Sequence, residues 1–379
     1  MEHVDVVVAG TGGMGAAAAM HLARRGVRVL ALDRFPVAHD RGSSHGQTRL
    51  IRLAYYEHPD YVPLLRAAYG LWRDLERESG RRLLVESGLV MAGPPGCELV
   101  CGAERSAREH GLPLERFAAA EVRRRWPAFF VPEAWDAVHE ACGGYLFVED
   151  CVRAHADAAV RCGAEVRSGV EVRGWRGEAG GVVVETDQGR IEAARLVLCP
   201  GAWAADVLQL PRMPFRVIRK SLFWHEPRNA HRDHHAAGVM PCFAFDTPQG
   251  FFYGFPTLDA RGIKVAEHTG GRRVDNPLAV DRDIDDMERR AVESFLAAHV
   301  PGALGRLSDH VVCLYTMSPD SHFVVGLHPD DSRVAIAAGF SGHGFKFASV
   351  MGAVLADLAI DGGTAHPIGF LSPLRPLPA

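Results

Sequence analysis

Two hydrophobic periods alternate along the chain, and their succession predicts both kinds of element. Residues 4–9 (VDVVVA) form a β-branched apolar run suited to a parallel strand buried on both faces. Glycines follow, then residues 14–25 with apolar positions at helical spacing, then a second strand over 27–33, which closes a βαβ unit. Helices are predicted over 61–78, 118–125, 154–162, 281–299 and 347–360. Strands are predicted over 84–91, 195–201, 220–226, 251–256, 262–268, 311–318, 323–326 and 334–338. Residues 165–185 alternate like antiparallel strands broken at Gly180 and Gly181. With no internal repeat and no low-complexity linker, domains built from these elements are expected to interleave.

Glycine-rich segments stand at opposite ends of the pattern. The first, GTGGMG, joins the first strand to the first helix. Gly10 suits the tight turn, Gly12 a close backbone approach to a pyrophosphate, and Gly15 a helix packed hard on its strand. Asp33 ends the second strand, where a carboxylate can accept hydrogen bonds from a ribose. The same residues also fit a glycine-rich turn without a ligand. The second segment, GFSGHGFK over 339–346, precedes the last helix and would leave backbone N–H groups free for an anion or the electron-rich edge of a ring. It also fits a plain turn before a packing helix. Between them, RGSSHGQTRLIRLAYY over 41–56 places Arg49 and Arg52 three apart, on one face if helical. Taken alone, that pair equally fits a solvated helix surface, and His45 a local hydrogen bond. The fold class that follows is α/β, with α+β character in a second domain: a Rossmann-like nucleotide-binding domain and a mixed-sheet domain.

Composition narrows the function. The 379 residues, 47% hydrophobic, suffice for two domains with substantial cores. Lys plus Arg number 42 against 46 Asp plus Glu, so there is no basic excess for a nucleic-acid partner. No apolar stretch approaches the roughly 20 residues needed to span a bilayer, and the start, MEHVDVVVAG, enters a strand directly, so the expectation is a soluble cytoplasmic protein. The eight cysteines form no CxxC pair and no zinc spacing, so disulfides and metals are not expected.

Three segments, GSSHGQTRLIRLAYYEHPDYVPL, CLYTMSPDSHFVVGLHP and AAGFSGHGFKFASVMG, resemble the monomeric sarcosine oxidase family, which includes N-methyltryptophan and pipecolate oxidases. The resemblance runs from Val4 to about Phe370. It implies a two-domain flavoprotein that holds FAD covalently through a cysteine, oxidises the C–N bond of secondary amino acids and passes the electrons to O2. The FAD-binding domain would comprise residues 1–83, 147–219 and 320–379, and the substrate domain 84–146 and 220–319. A monomer is expected, with a small-molecule secondary amino acid and O2 as its partners.

Carried onto this chain, the resemblance makes Cys313 the flavin attachment point, with Arg49 and His45 beside the ring. Arg52 and Lys346 would clamp the substrate carboxylate, Tyr253, His268 and Tyr315 would line the pocket, and Lys264 would activate oxygen. Without the resemblance, Lys264 would read as a surface strand residue. Further cofactor contacts are expected from Gly10, Gly12, Gly13, Gly15, Asp33 and Ser43. Gly201, Gly342, Gly344, Phe345 and Lys346 complete that set. The chain departs from the family at Ser44 and Gln47, where histidine and aspartate are common. The CLYT tetrad favours sarcosine over N-methyltryptophan; a pipecolate- or proline-type oxidase and a flavin dehydrogenase with a protein acceptor are the alternatives. A nicotinamide dehydrogenase would share the first βαβ unit but leave GFSGHGFK and Cys313 unexplained, and a flavin-binding protein without catalysis is the remaining class.

Overall fold

The computed structural model describes residues 2–377. The strand Glu2–Ala9 lies inside an eight-stranded sheet, parallel to Val29–Asp33 on one side and to Gly189–Leu198 on the other. Glu165–Ser168 extends the parallel array beyond Val29–Asp33, and Asp331–Ala338 pairs in parallel with the far end of Gly189–Leu198. Both faces are covered, which is why these strands read as unbroken apolar runs. On one face Val6, Val8, Ala31 and Val197 meet the helices Gly13–Arg24, Val148–Arg161 and Ala348–Asp361. On the other, Val7, Leu30 and Leu196 pack with Trp175, Val182 and Val184 of an antiparallel pair, Val172–Glu178 and Gly181–Thr186.

A nine-stranded mixed sheet forms the second layer. Arg216–His225 pairs antiparallel with Leu307–Met317, setting Lys220 opposite Cys313. Ile263–Glu267 pairs with Gly250–Phe255, which places Lys264 opposite Phe255. Phe243, Phe245 and Phe252 on one face pack against Phe295 of the helix Asp286–His299. The opposite face carries Leu222, Trp224, Tyr253 and Cys313 toward Leu50 and Tyr145 of a small sheet made of Thr48–Ile51, Gly144–Phe147 and Leu84–Val85. No helix among the described residues is long and apolar enough to cross a membrane.

Three sequence expectations need correction. Arg49 does not lie on a helix: Thr48–Ile51 is a strand paired antiparallel with Gly144–Phe147, and all four of its residues are buried, whereas a helix with one solvated face would expose some of them. The helix expected from 154 begins at Val148, because Glu149 and Asp150 occupy its first turn, where the helix dipole favours acids. Within 165–185, Glu165–Ser168 is a separate parallel strand, and only the remainder is an antiparallel pair. The helix Glu98–His110 went unread, since no element was predicted between 91 and 118.

Small residues set the distance between the first and last helices. A Cβ on Gly352 would come within 2.5 Å of the Cβ of Ala17 and 2.6 Å of its carbonyl carbon. Gly352→Ala is expected to lower stability by about 1–3 kcal/mol through overpacking, read as a fall in midpoint by thermal unfolding. Gly363→Ala, with open space around the new methyl, should leave the midpoint near that of the parent.

Candidate active site

The two glycine-rich segments meet. A Cβ on Gly13 would lie 2.9 Å from the Phe345 ring, so the turn after the first strand and the loop before the last helix are in contact. A cavity runs along this junction, with Gly10, Gly12, Gly13, Asp33 and Gly201 at one end. Its middle is walled by Ser43, Arg49, Gly342, Gly344 and Phe345, and its far end by Arg52, Tyr253, His268, Tyr315 and Lys346. Asp33 accepts from the Thr11 amide at 2.7 Å and the Phe35 amide at 2.9 Å, which holds its carboxylate on the cavity wall.

Four of the residues singled out in the sequence do not line the cavity but stand one layer behind it. Gly15 carries no side chain because a Cβ there would fall 1.7 Å from the Gly10 carbonyl oxygen. His45 hydrogen-bonds the Gly42 carbonyl oxygen at 3.1 Å, and burial, helped by Arg49, depresses its pKa to about 4, so the ring is neutral at pH 7. Lys264 is 1% exposed and donates to the carbonyl oxygens of Gly46 at 2.6 Å and Thr48 at 2.7 Å. Burial first, and Arg49 second, push its ammonium well below the usual lysine range. Cys313 is buried, and an Arg49 guanidinium nitrogen lies 3.1 Å from its sulfur. The same guanidinium donates to the carbonyl oxygens of Ser43 and Thr48, both at 2.9 Å, which fixes it between the thiol and the cavity.

At the far end two cations converge. Arg52 and Lys346 are each 4% exposed. Arg52 donates to both oxygens of Glu57, at 2.8 and 2.7 Å, and its guanidinium lies 4.7 Å from the Tyr55 ring centroid, as Lys346 Nζ lies 5.1 Å from the same ring. Burial alone would raise the Glu57 pKa, but Arg52, then His343 and Lys346, hold it down to about 2. Lys346 donates to the His343 carbonyl oxygen at 2.6 Å and makes no ion pair among the described residues. Its own carbonyl is held by the Trp72 indole at 2.9 Å. Arg52 Nε is buried without a hydrogen-bond partner among the described residues. Burial first, and Arg52 second, push the Lys346 pKa well below the usual lysine range; an orphaned guanidinium N–H beside a lysine that lacks a counter-anion suits a carboxylate, which would favour the charged form of both. Around it Tyr253 and Tyr315 approach at 3.4 Å between hydroxyls, and His268, whose pKa burial lowers to about 3, packs 5.6 Å from the Tyr315 ring.

Sequence reading missed several walls. Tyr56 and Glu57 lay inside a quoted motif, and an acid five residues after Arg52 was the available signal. Glu171, Val172, Trp203 and Phe251 gave none, since each reaches the cavity through long-range packing. The wall fits FAD: a glycine turn at a helix start, a ribose-type acid, a long slot and a loop pressed close at Gly342, where a Cβ would meet the Tyr315 ring at 2.3 Å.

Residues 5–358 match the FAD dependent oxidoreductase family. The monomeric sarcosine oxidase of Streptomyces avermitilis is 40% identical over 98% of this chain and 97% of its own. The N-methyl-L-tryptophan oxidase of Yersinia pestis is 33% identical over 94% of this chain and 95% of its own. Among solved structures, the open form of NikD, an unusual amino acid oxidase essential for nikkomycin biosynthesis, is 25% identical with a TM-score of 0.86 and full coverage of both chains. The joined glycine segments, the slot between them and these likenesses lead to one conclusion: the chain belongs to the FAD dependent oxidoreductases, in the family of monomeric sarcosine oxidase and N-methyltryptophan oxidase.

Proposed function

We propose that the protein is an oxidase of secondary, N-methylated amino acids, and that sarcosine, O2 and water give glycine, formaldehyde and hydrogen peroxide. The observation that carries the reading is the Arg52 and Lys346 pair, buried at the end of the slot with an unfilled guanidinium N–H and a lysine without a carboxylate partner among the described residues. The higher identity to a sarcosine oxidase than to an N-methyltryptophan oxidase favours the smaller substrate. Bound FAD would supply the two-electron acceptor and hand those electrons on to oxygen. Arg52 and Lys346 hold the carboxylate, which fixes the amine end against the aromatic wall of Tyr253, His268 and Tyr315. Neutral His268 adds no positive charge beside the amine, which suits an amine that reacts unprotonated. Lys264, caged by carbonyls behind Arg49, is the cation assigned to oxygen activation. Cys313, whose sulfur lies 3.1 Å from the Arg49 guanidinium on the cavity wall, is assigned as the covalent flavin attachment point. The enzyme is further taken to be monomeric and cytoplasmic.

Anaerobic addition of sarcosine to the yellow holoenzyme is expected to bleach the flavin, and admission of air to restore it with release of peroxide. Parallel trials with N-methyltryptophan, pipecolate and proline rank the substrates, and a flavin that none of the four bleaches would refute the reading. Lys346→Met removes half of the charge clamp and should raise KM for sarcosine about 10- to 100-fold with a smaller fall in kcat, measured by steady-state peroxide assay. After acid denaturation the parent protein should keep its flavin on the polypeptide. Cys313→Ser should release it to the supernatant, and flavin retained by that variant would locate the bond elsewhere.

A further inference from the structure

One buried cation in the second sheet has no part in the chemistry above. Lys220 is 3% exposed on the strand Arg216–His225, and its ammonium donates to the carbonyl oxygens of Thr269 and, at 3.2 Å, Gly270. It makes no ion pair with a carboxylate among the described residues. An ammonium buried against neutral carbonyls is costly, and an apolar side chain of similar size would fill the space at lower cost. The charge therefore asks for a function beyond packing.

What it holds is a wall of the substrate pocket. The turn that follows the strand Ile263–Glu267 starts at His268, which lines the cavity, and its Thr269 hydroxyl accepts from the Phe251 amide at 3.0 Å. The His268 amide donates to the Phe251 carbonyl oxygen at 2.7 Å, so turn and strand move together. The turn also presses on the lysine stem, since a Cβ on Gly271 would reach Lys220 Cδ at 3.0 Å. The ammonium lies 5.8 Å from the centroid of the Tyr315 ring, which faces the pocket from the neighbouring strand. We propose that Lys220 is a positioning residue for substrate: it ties the 268–271 turn to the sheet beside Tyr315 and thereby sets the pocket that His268, Phe251 and Tyr315 close around the ligand. This rests on the reading of that pocket as a secondary amino acid site.

The anchor titrates in an accessible range. Burial depresses the Lys220 pKa to about 8, against the opposing pull of Glu267 at the end of its strand, Glu288 on the helix Asp286–His299 and Cys313 on Leu307–Met317. Of the other groups that face it, His268 is lowered to about 3 and stays neutral, and Tyr315 is raised well above the usual phenol range and stays protonated. Arg219, on the same strand, is taken up by Glu288. Lys220 is thus charged below about pH 8 and neutral above it. A neutral amine keeps two N–H groups, so the tie weakens rather than breaks as pH rises, and affinity for a ligand falls through that pH.

Methoxyacetate isolates the effect, because an ether replaces the amine and leaves no ionisable nitrogen on the ligand. Its Kd for the holoenzyme, read from perturbation of the flavin absorbance between about pH 6 and pH 10, is expected to rise about 5-fold with a midpoint near pH 8. Lys220→Met should bind about 5- to 10-fold more weakly at neutral pH and lose the alkaline limb, with sarcosine KM raised in parallel and kcat nearly unchanged. Lys220→Arg keeps a permanent charge and should restore tight binding without the limb. A limb that persists in Lys220→Met, or in Lys220→Arg where the methionine variant does not fold, overturns the proposal. So does a parent-like KM in Lys220→Met. A parent enzyme that neither binds methoxyacetate nor bleaches with any secondary amino acid overturns the oxidase reading and this proposal together, whereas unaltered variants of an active parent overturn this proposal alone.

Discussion

Basic side chains kept out of water are the constraint around which the site is built. Arg49, Arg52, Lys264 and Lys346 are each no more than 9% exposed, and of these only Arg52 meets a carboxylate among the described residues. A buried cation must be compensated or it unfolds its surroundings, and here the compensation is largely backbone. Gly46 at φ +87° and Gln47 at φ +70° turn their segment so that the carbonyls of Gly46 and Thr48 face Lys264. A non-glycine residue in that region costs on the order of 1–2 kcal/mol, and Glu149 stabilises it by accepting the amides of Gly46 and Gln47 from the first turn of the helix Val148–Arg161. The irregular backbone between the first βαβ unit and the small sheet thus supplies the carbonyls that satisfy the buried Lys264 amine. The Arg52 Nε, which neither Glu57 nor a carbonyl takes up among the described residues, is left open to an anionic ligand.

The sequence disclosed this arrangement unevenly, and the reasons are physical. The βαβ unit was legible because parallel strands buried on both faces have no polar period to confuse, and its strands and helix lie within a few residues of where the pattern set them. Arg216–His225, Gly250–Phe255, Ile263–Glu267 and Leu307–Met317 of the second sheet were legible for a related reason, since their two faces pack on Phe295 and its neighbours or toward the small sheet, whereas Cys242–Thr247 and Asp136–Glu140 went unread. Thr48–Ile51 was misread because an arginine pair three apart carries no period of its own, and only the partner strand Gly144–Phe147, about a hundred residues on, decides the conformation. Glu57 was passed over because an acid in a polar loop looks solvated; its meaning comes from Arg52 and His343, the second of which arrives from the other end of the chain. Glu149 lay outside the helix predicted from 154, so nothing in the sequence marked it as a partner of the Gly46 and Gln47 amides.

Ser44 and Gln47, where the resemblance leads one to expect histidine and aspartate, each hold a local role in the structure. Ser44 accepts the Gly13 amide at 3.1 Å, so a short hydroxyl caps the turn at the start of the first helix from within the motif that carries Arg49. Gln47 spends its side chain away from the cavity: its amide donates to Asp259 at 2.8 Å and its oxygen accepts from the Trp224 indole at 3.0 Å. Trp224 in turn lies beneath Lys264, whose ammonium is 5.6 Å from the indole ring. A carboxylate at position 47 would face Asp259 as a like charge and could accept from Trp224 but donate nothing to Asp259. The neutral amide therefore matches an acid already present in the turn between Gly250–Phe255 and Ile263–Glu267, and it pins the Gly46 to Thr48 turn to the second sheet from outside while Lys264 pins it from within. The cost of the positive φ at Gln47 is offset at a single residue from both sides, which is why that turn can keep its carbonyls aimed at a buried cation.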